Sequence, residues 1–339
     1  METILRCALG YYHLMLSFLG IALGLVLLIA GGALLVRGAS EIAAGFGVSP
    51  MIVGLTVVGF GTSAPELVVN VVGSLEGAMG IAFGNVVGSN ISNLGLVLGA
   101  AAIMSPIAIQ GALVRRELPL LLLATTMITV MALDGPLEGR PGLLSRTDAI
   151  TLMLMFGMFI YITAMDLMRL RREDALLANI EESRNVVAPA KGRYCWLVVV
   201  AGFVLLFIGG ELTVRNGIAF ASHLGISTTV VGLFVVAVGT SMPELVTSII
   251  AAMRGESDLA LGNIIGSNIF NSLMVLPVSG VIAQVPVPHG GIGDLVWSWV
   301  FAAALIPIFF FGKAYLGRIS GFAFLSVYFV YAVVRIQYS

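Results

Sequence analysis

The chain has 339 residues, of which 59% are hydrophobic and only 10% charged, with a formal net charge of −1 and a mean hydropathy of +1.06. A soluble domain carries about a quarter charged residues, and a nucleic-acid binder needs a basic face; this composition excludes both. Lipid as the solvent accounts for the missing polar surface, because about 20 apolar residues of helix cross the hydrocarbon.

Taken in chain order, apolar runs predict ten helices: 17–36, 48–73, 78–104, 118–134, 148–168, 196–214, 226–253, 258–282, 295–311 and 319–336. The second, third, seventh and eighth are Gly-rich and less uniform. No small-residue cleavage site follows the first run, which therefore reads as a span and not as a signal peptide. The polar stretch 169–193 is expected to be a linker between a first unit, 1–168, and a second, 194–339. Cys7 and Cys195 are too far apart to form a metal motif. Placing the N-terminus outside puts twelve of the seventeen Lys and Arg residues on the inner face and five outside. By the positive-inside rule both termini are then external and the linker cytoplasmic.

The chain repeats itself. Shifted by 178 residues, 47–93 falls on 225–271 without a gap, and 23 of those 47 positions are identical. Five predicted helices per copy is an odd number, which forces the copies into opposite orientations. Such inverted repeats are common in secondary transporters. The identities concentrate on polar and small residues, whereas a lipid-facing scaffold would accept any apolar side chain.

The shared core reads Gly61-Thr62-Ser63-Ala64-Pro65-Glu66 in one copy and Gly239-Thr240-Ser241-Met242-Pro243-Glu244 in the other, each inside an apolar run. A carboxylate at bilayer depth costs about 3 kcal/mol and needs a partner or a wet site. Each Pro removes a backbone donor and frees carbonyls one turn earlier, near 59–62 and 237–240. A second shared stretch runs from Asn85 through Ser89 and Asn90 to Asn93, and from Asn263 through Ser267 and Asn268 to Asn271. Spacings of four put Asn85, Ser89 and Asn93 on one helix face, and likewise Asn263, Ser267 and Asn271. Asn85, Asn90, Asn263 and Asn268 are expected to lock helices together, with Asn93 and Asn271 divided between packing and ion contact. Carboxylate, hydroxyl and carbonyl are the hard oxygen donors preferred by Ca2+ and Na+. These four runs contain no buried Lys or Arg to balance Glu66 and Glu244, so a shared cation is the expected counter-charge.

These paired motifs resemble the alpha repeats of the sodium/calcium exchanger family, within the cation/calcium exchanger superfamily. The motifs span about 95 residues, and the ten-helix layout extends the likeness over the chain. The resemblance implies eight helices around the site, with the first helix of each half long, tilted and mobile. It implies that Ca2+ is held by Glu66 and Glu244 with oxygens of Thr62 and Thr240. The implied sodium sites share those glutamates and add Ser63, Ser89, Ser241 and Ser267, with backbone oxygens of Gly59 and Ala237. Asn93 matches a central-site residue. Asn271 departs, standing where many exchangers carry Asp, so the centre holds −2 in place of −3 and three Na+ leave one charge uncompensated.

The expectation is an all-helical Ca2+/Na+ antiporter of a prokaryotic inner membrane, with a Ca2+/H+ exchanger as the alternative. It is a minimal form without a regulatory domain, acting as a monomer on small cations within lipid. It needs no cofactor and no nucleic acid. A passive channel is disfavoured by the inverted repeat, and a metal-dependent hydrolase by the lack of an HExxH pattern.

Overall fold

The computed structural model describes residues 2–77, 79–111, 113–180, 192–223, 237–311 and 314–337. In hydrocarbon every backbone N–H and C=O needs an internal partner, so apolar runs of this length fold as helices. In order these are α1 (Glu2–Phe46), α2 (Pro50–Val53), a π-helical turn (Gly54–Val58), α3 (Gly59–Thr62) and α4 (Ala64–Leu75). Next come α5 (Met79–Ser92), a π-turn (Asn93–Val97), α6 (Leu98–Met104), a π-turn (Leu113–Glu117), α7 (Leu118–Leu137) and α8 (Arg146–Ile180). The remainder comprises α9 (Gly192–His223), α10 (Ala237–Thr240), α11 (Met242–Met253), α12 (Ser257–Phe270), a π-turn (Asn271–Val275) and α13 (Leu276–Ile282). The chain closes with α14 (Gly291–Ala303), α15 (Leu305–Phe311) and α16 (Arg318–Gln337).

Among the described residues eight helical stretches are long and apolar enough to cross a membrane. A ninth is the pair Pro50–Thr62 and Ala64–Leu75, bent by 41° at Ser63. Of the seventh expected helix, 226–253, the part before 237 lies outside the described residues. The helix expected at 148–168 runs on to Ile180, into the segment read as linker. Arg, Glu, Ala and Leu dominate 169–180, and these are good helix formers whatever their polarity. Most of the remaining linker, 181–191, lies outside the described residues. The first helix likewise outruns 17–36 at both ends.

Element bounds repeat with the sequence. Moving Ala64–Leu75, Met79–Ser92, Asn93–Val97 and Leu98–Met104 by 178 residues gives Met242–Met253, Ser257–Phe270, Asn271–Val275 and Leu276–Ile282. Two short antiparallel pairs tie the copies together: Ile107–Ala108 with Tyr315–Leu316, and Leu143–Leu144 with Val285–Pro286. The spans Ala82–Met104 and Ser257–Ile282 are 78% and 83% buried, against 17–33% for the other long spans. Those two form the centre, and the others face lipid with side chains such as Phe18, Leu154 and Phe322.

Helices α1 and α9 pack antiparallel along glycines. A Cβ on Gly24 would lie 2.8 Å from the Gly209 carbonyl oxygen, and one on Gly202 would lie 2.8 Å from Leu35 N and 3.0 Å from Gly31 O. Small residues allow this approach where lipid provides no hydrophobic drive between helices. Gly202→Val is expected to push the two backbones apart, with a loss of about 1–3 kcal/mol as for other overpacked cores. The check is a melting temperature in detergent, which should fall well below wild type.

Ion pairs sit on the periphery. Glu211 pairs with Arg215 as the spacing of four suggests. Asp166 pairs with Arg116, which also donates to Thr163 Oγ1 (2.9 Å).

Candidate ion-binding site

Pro65 and Pro243 occupy second positions of α4 and α11. Neither can donate to the preceding turn, and the backbone breaks just before them. Ser63 (φ −87°, ψ 7°) and Ser241 (φ −85°, ψ 7°) adopt the same conformation at the two breaks. Each break leaves a glutamate in the first turn of the following helix, near its positive end. Glu66 is 1% exposed and Glu244 0%. Each carboxylate lies within electrostatic reach of the other. Among the described residues no Lys, Arg or His is buried to offset them.

The π-turn Gly54–Val58 brings the first break against α12. A Cβ on Gly262 would meet Met51 O at 2.6 Å and Gly54 Cα at 3.0 Å, so only glycine permits this depth of packing. Across that contact Ser63 Oγ donates to Glu244 Oε1 (2.9 Å). Ser267 Oγ donates to the Gly59 carbonyl (3.1 Å) and lies 3.5 Å from Glu244 Oε1. Thr62 Oγ1 donates to Asn263 Oδ1 (3.0 Å) and is 3.4 Å from Ser267 Oγ. Gly59 O keeps its helical bond from Ser63 N (3.2 Å) and also accepts the hydroxyl of the other repeat, so it is shared and not freed by the proline.

The structure gathers Gly59, Thr62, Ser63, Glu244 and Ser267 into one hydrogen-bonded group. It leaves Glu66, Ser89, Ser241 and Asn271 buried with unpartnered side chains: both carboxylate oxygens of Glu66, both hydroxyls, and Oδ1 and Nδ2 of Asn271. Glu244 Oε2 and Asn93 Oδ1 are also unpartnered. Thr240 closes the turn α10, and Ala237 opens it. Buried polar atoms in native proteins nearly always have partners. A buried carboxylate with neither oxygen partnered, as at Glu66, is a group whose charge a cation with oxygen ligands would satisfy. Among the described residues there is no group of three or more His, Cys, Asp or Glu able to hold a metal.

Asn85, Asn90, Asn263 and Asn268 each bond to a residue of another helical segment. Asn90 Nδ2 donates to Ser272 Oγ (2.8 Å), Asn268 Nδ2 to Asn90 O (3.2 Å), and Asn93 Nδ2 to Asn268 Oδ1 (3.0 Å). Sequence reasoning missed Asn70 and Ser248. Asn70 Oδ1 accepts from Asn85 (2.7 Å) and Ser248 Oγ from Asn263 (2.8 Å). Both stand four residues after a glutamate, on the same helix face, and they correspond under the 178-residue shift; that spacing was the available signal. Beside the first break lies a cavity of about 440 Å3, lined by Gly61, Thr62, Pro65, Phe203, Phe207 and Pro243 among others.

A helical membrane protein with an oxygen-rich centre of this kind belongs among the ion transporters, and comparison with known proteins makes the class specific. The profile of the family described as "Sodium/calcium exchanger protein" matches residues 16–165 and 194–337. The putative antiporter CaxA of Alkalimonas amylolytica is 38% identical, over 85% of this chain and 87% of the relative. Inner membrane protein YrbG of Escherichia coli (strain K12) is 34% identical, over 84% and 83%. The sodium/calcium exchanger MaX1 of Methanosarcina acetivorans is 33% identical, over 94% and 98%. A solved structure of the sodium-calcium exchanger NCX_Mj superposes with a TM-score of 0.77 at 30% identity, covering 94% of this chain and 97% of that one. The chain belongs to the sodium/calcium exchanger family, a family of membrane antiporters.

Proposed function

We propose that this protein exchanges Ca2+ for Na+ across a prokaryotic inner membrane, by alternating access to one site at mid-membrane depth. Ten helices form two five-helix repeats of opposite orientation, and the antiparallel packing of α1 on α9, which are repeat counterparts, supports that arrangement. Both termini face outward, the segment around 181–191 is cytoplasmic, and one chain in lipid is the transport unit. MaX1 and NCX_Mj, each named a sodium/calcium exchanger and each alike over nearly all of its length, support the choice of ions. YrbG, named an inner membrane protein, supports the location.

The observation that carries the reading is the buried Glu66 carboxylate with neither oxygen partnered, beside Glu244 and with no buried cation among the described residues. Ca2+ takes six to eight oxygens. Glu66, Glu244, Thr62 and Thr240 supply its ligands, with Asn93 and Asn271 at the centre. Sodium ions share the glutamates and use Ser63, Ser89, Ser241 and Ser267 with the Gly59 and Ala237 carbonyls. Two fixed negative charges make the occupants compete: Ca2+ or sodium ions neutralise the pair, but not both at once. An unoccupied pair carries its desolvation penalty into any rearrangement, so switching between the two access states requires a bound ion.

Ca2+ uptake into sealed vesicles, with pH clamped on both sides, tests this directly. An outward Na+ gradient is expected to drive saturable uptake. Uptake that ignores Na+ and follows an imposed pH gradient would replace sodium by protons as the coupling ion.

A further inference from the structure

Four phenylalanines form a patch beside the polar centre. The rings of Phe60 and Phe270 stack with centroids 4.8 Å apart and planes inclined by 26°. Phe156 closes on both, at 5.5 and 5.9 Å. Phe159 lies behind, 6.5 Å from Phe60 and 6.2 Å from Phe156. Each stacked ring is the chain neighbour of a group in the site. Phe60 follows Gly59, whose carbonyl accepts from Ser267, and Phe270 precedes Asn271, whose amide is fully buried and unpartnered.

The backbone at Gly59 needs an external support. Helix α3 is four residues long and lies between a π-turn and the break before Pro65. Gly59 donates to Gly54 O and accepts from Ser63 N (3.2 Å), but the switch from π-turn to a single α-turn and then to the break leaves few regular hydrogen bonds to fix its position. Gly59 has no side chain to anchor, and Phe60 is its nearest handle. Phe270 stands at the end of α12, where that helix gives way to the π-turn Asn271–Val275. The stack therefore joins two irregular backbone points, one from each repeat, and Phe156 and Phe159 of α8 hold it from behind. The repeat counterparts of Phe60 and Phe270 are Val238 and Ser92, so the other half cannot build the same stack.

We propose that the Phe60–Phe270 stack is a positioning element that sets the gap between the Gly59 carbonyl and Asn271, and thereby the affinity of one sodium position. The proposal rests on the ligand assignment above, in which Gly59 O serves sodium and not Ca2+. It makes the two halves of the site unequal: one is held by stacked rings and the other is not.

Phe270→Ser installs the residue of the other repeat and removes the stack. Aromatic pairs contribute about 0.5–1.5 kcal/mol beyond their burial, which is roughly a two- to tenfold change in an equilibrium constant. The half-saturating Na+ concentration, read both from exchange and from Na+-dependent thermal stabilisation in detergent, is expected to rise by that factor. The half-saturating Ca2+ concentration and the maximal rate should change much less. Phe270→Tyr keeps a stacking ring and should restore wild-type sodium dependence. Phe324→Leu removes a buried ring that packs on Phe301 and belongs to no part of the stack; it should lower the melting temperature without moving the sodium midpoint. Should Phe270→Ser fail to accumulate, Phe270→Leu carries the same expectation. A sodium midpoint unchanged in the stack variant, or moved equally by Phe324→Leu, overturns the proposal. Loss of the exchange reading itself would show differently, as a wild-type protein that neither exchanges nor is stabilised with Na+.

Discussion

Glu66→Gln is expected to abolish Ca2+ exchange and, at the same time, to make the ion-free protein harder to melt. The two effects have one cause. Both oxygens of the Glu66 carboxylate are buried without a protein partner, so without a bound ion the side chain contributes a desolvation penalty that no protein group offsets. Gln has the same size and no charge, so its burial costs far less than that of a carboxylate. Relief of roughly 1–3 kcal/mol is the ordinary scale for removing such a penalty. Binding suffers for the same reason that folding gains. Unit charges 4 Å apart in a surround of effective dielectric 20 attract by about 4 kcal/mol, and each 1.4 kcal/mol is tenfold in affinity. Losing one carboxylate should therefore weaken Ca2+ binding by about a thousandfold.

Glu244→Gln should lose exchange to the same degree while gaining less stability. Glu244 Oε1 already accepts from Ser63 (2.9 Å), leaving only Oε2 unpartnered. Vesicle flux and detergent melting, each with and without Ca2+, separate these outcomes. Near-normal transport in both variants would end the two-glutamate account. A Glu66→Gln protein that melts lower than wild type without ions would mean the carboxylate has a stabilising partner when the site is empty.

The pairing of Glu66 with Glu244 was legible in the sequence because polar identities at a fixed 178-residue offset, inside apolar runs, have few explanations other than a shared buried centre. The break at Ser63 was legible for the same kind of reason, since a proline inside a span must interrupt the ladder. The extent of α1 and of α8 was not. Hydropathy reports where lipid ends, whereas a helix continues for as long as its residues favour it, as Arg146–Ile180 does. The unequal state of the two carboxylates was also hidden: identical motifs give Glu244 a hydroxyl donor and leave Glu66 with none. A repeat in sequence predicts equal chemistry, but a transporter resting in one access state has to treat its halves differently. Phe270 in place of Ser92 is a departure from the repeat that carries no polar chemistry, and only the ring stacking revealed its position beside the site.

Asn271→Asp is expected to produce the second large effect, and it acts through charge count. The carboxylates of Glu66 and Glu244 give the centre −2, which one Ca2+ or two sodium ions neutralise, while a third sodium leaves an uncompensated positive charge in a dry interior. An Asp at 271 raises the centre to −3, so three sodium ions become the balanced load and Ca2+ alone leaves −1. Asn271 is fully buried with both side-chain atoms unpartnered, so a carboxylate there adds a third unpaired charge to the empty protein. The ion-free variant should melt lower than wild type. Ions should raise its melting temperature by a wider margin, because a ligand that binds only the folded state stabilises it in proportion to its affinity. In flux, Na+ dependence should become more cooperative, and Ca2+ uptake should respond differently to an imposed membrane potential. If cooperativity, voltage response and ion-dependent stabilisation all match wild type, residue 271 does not face the ions, and the charge count that separates this chain from exchangers carrying Asp has no consequence for coupling.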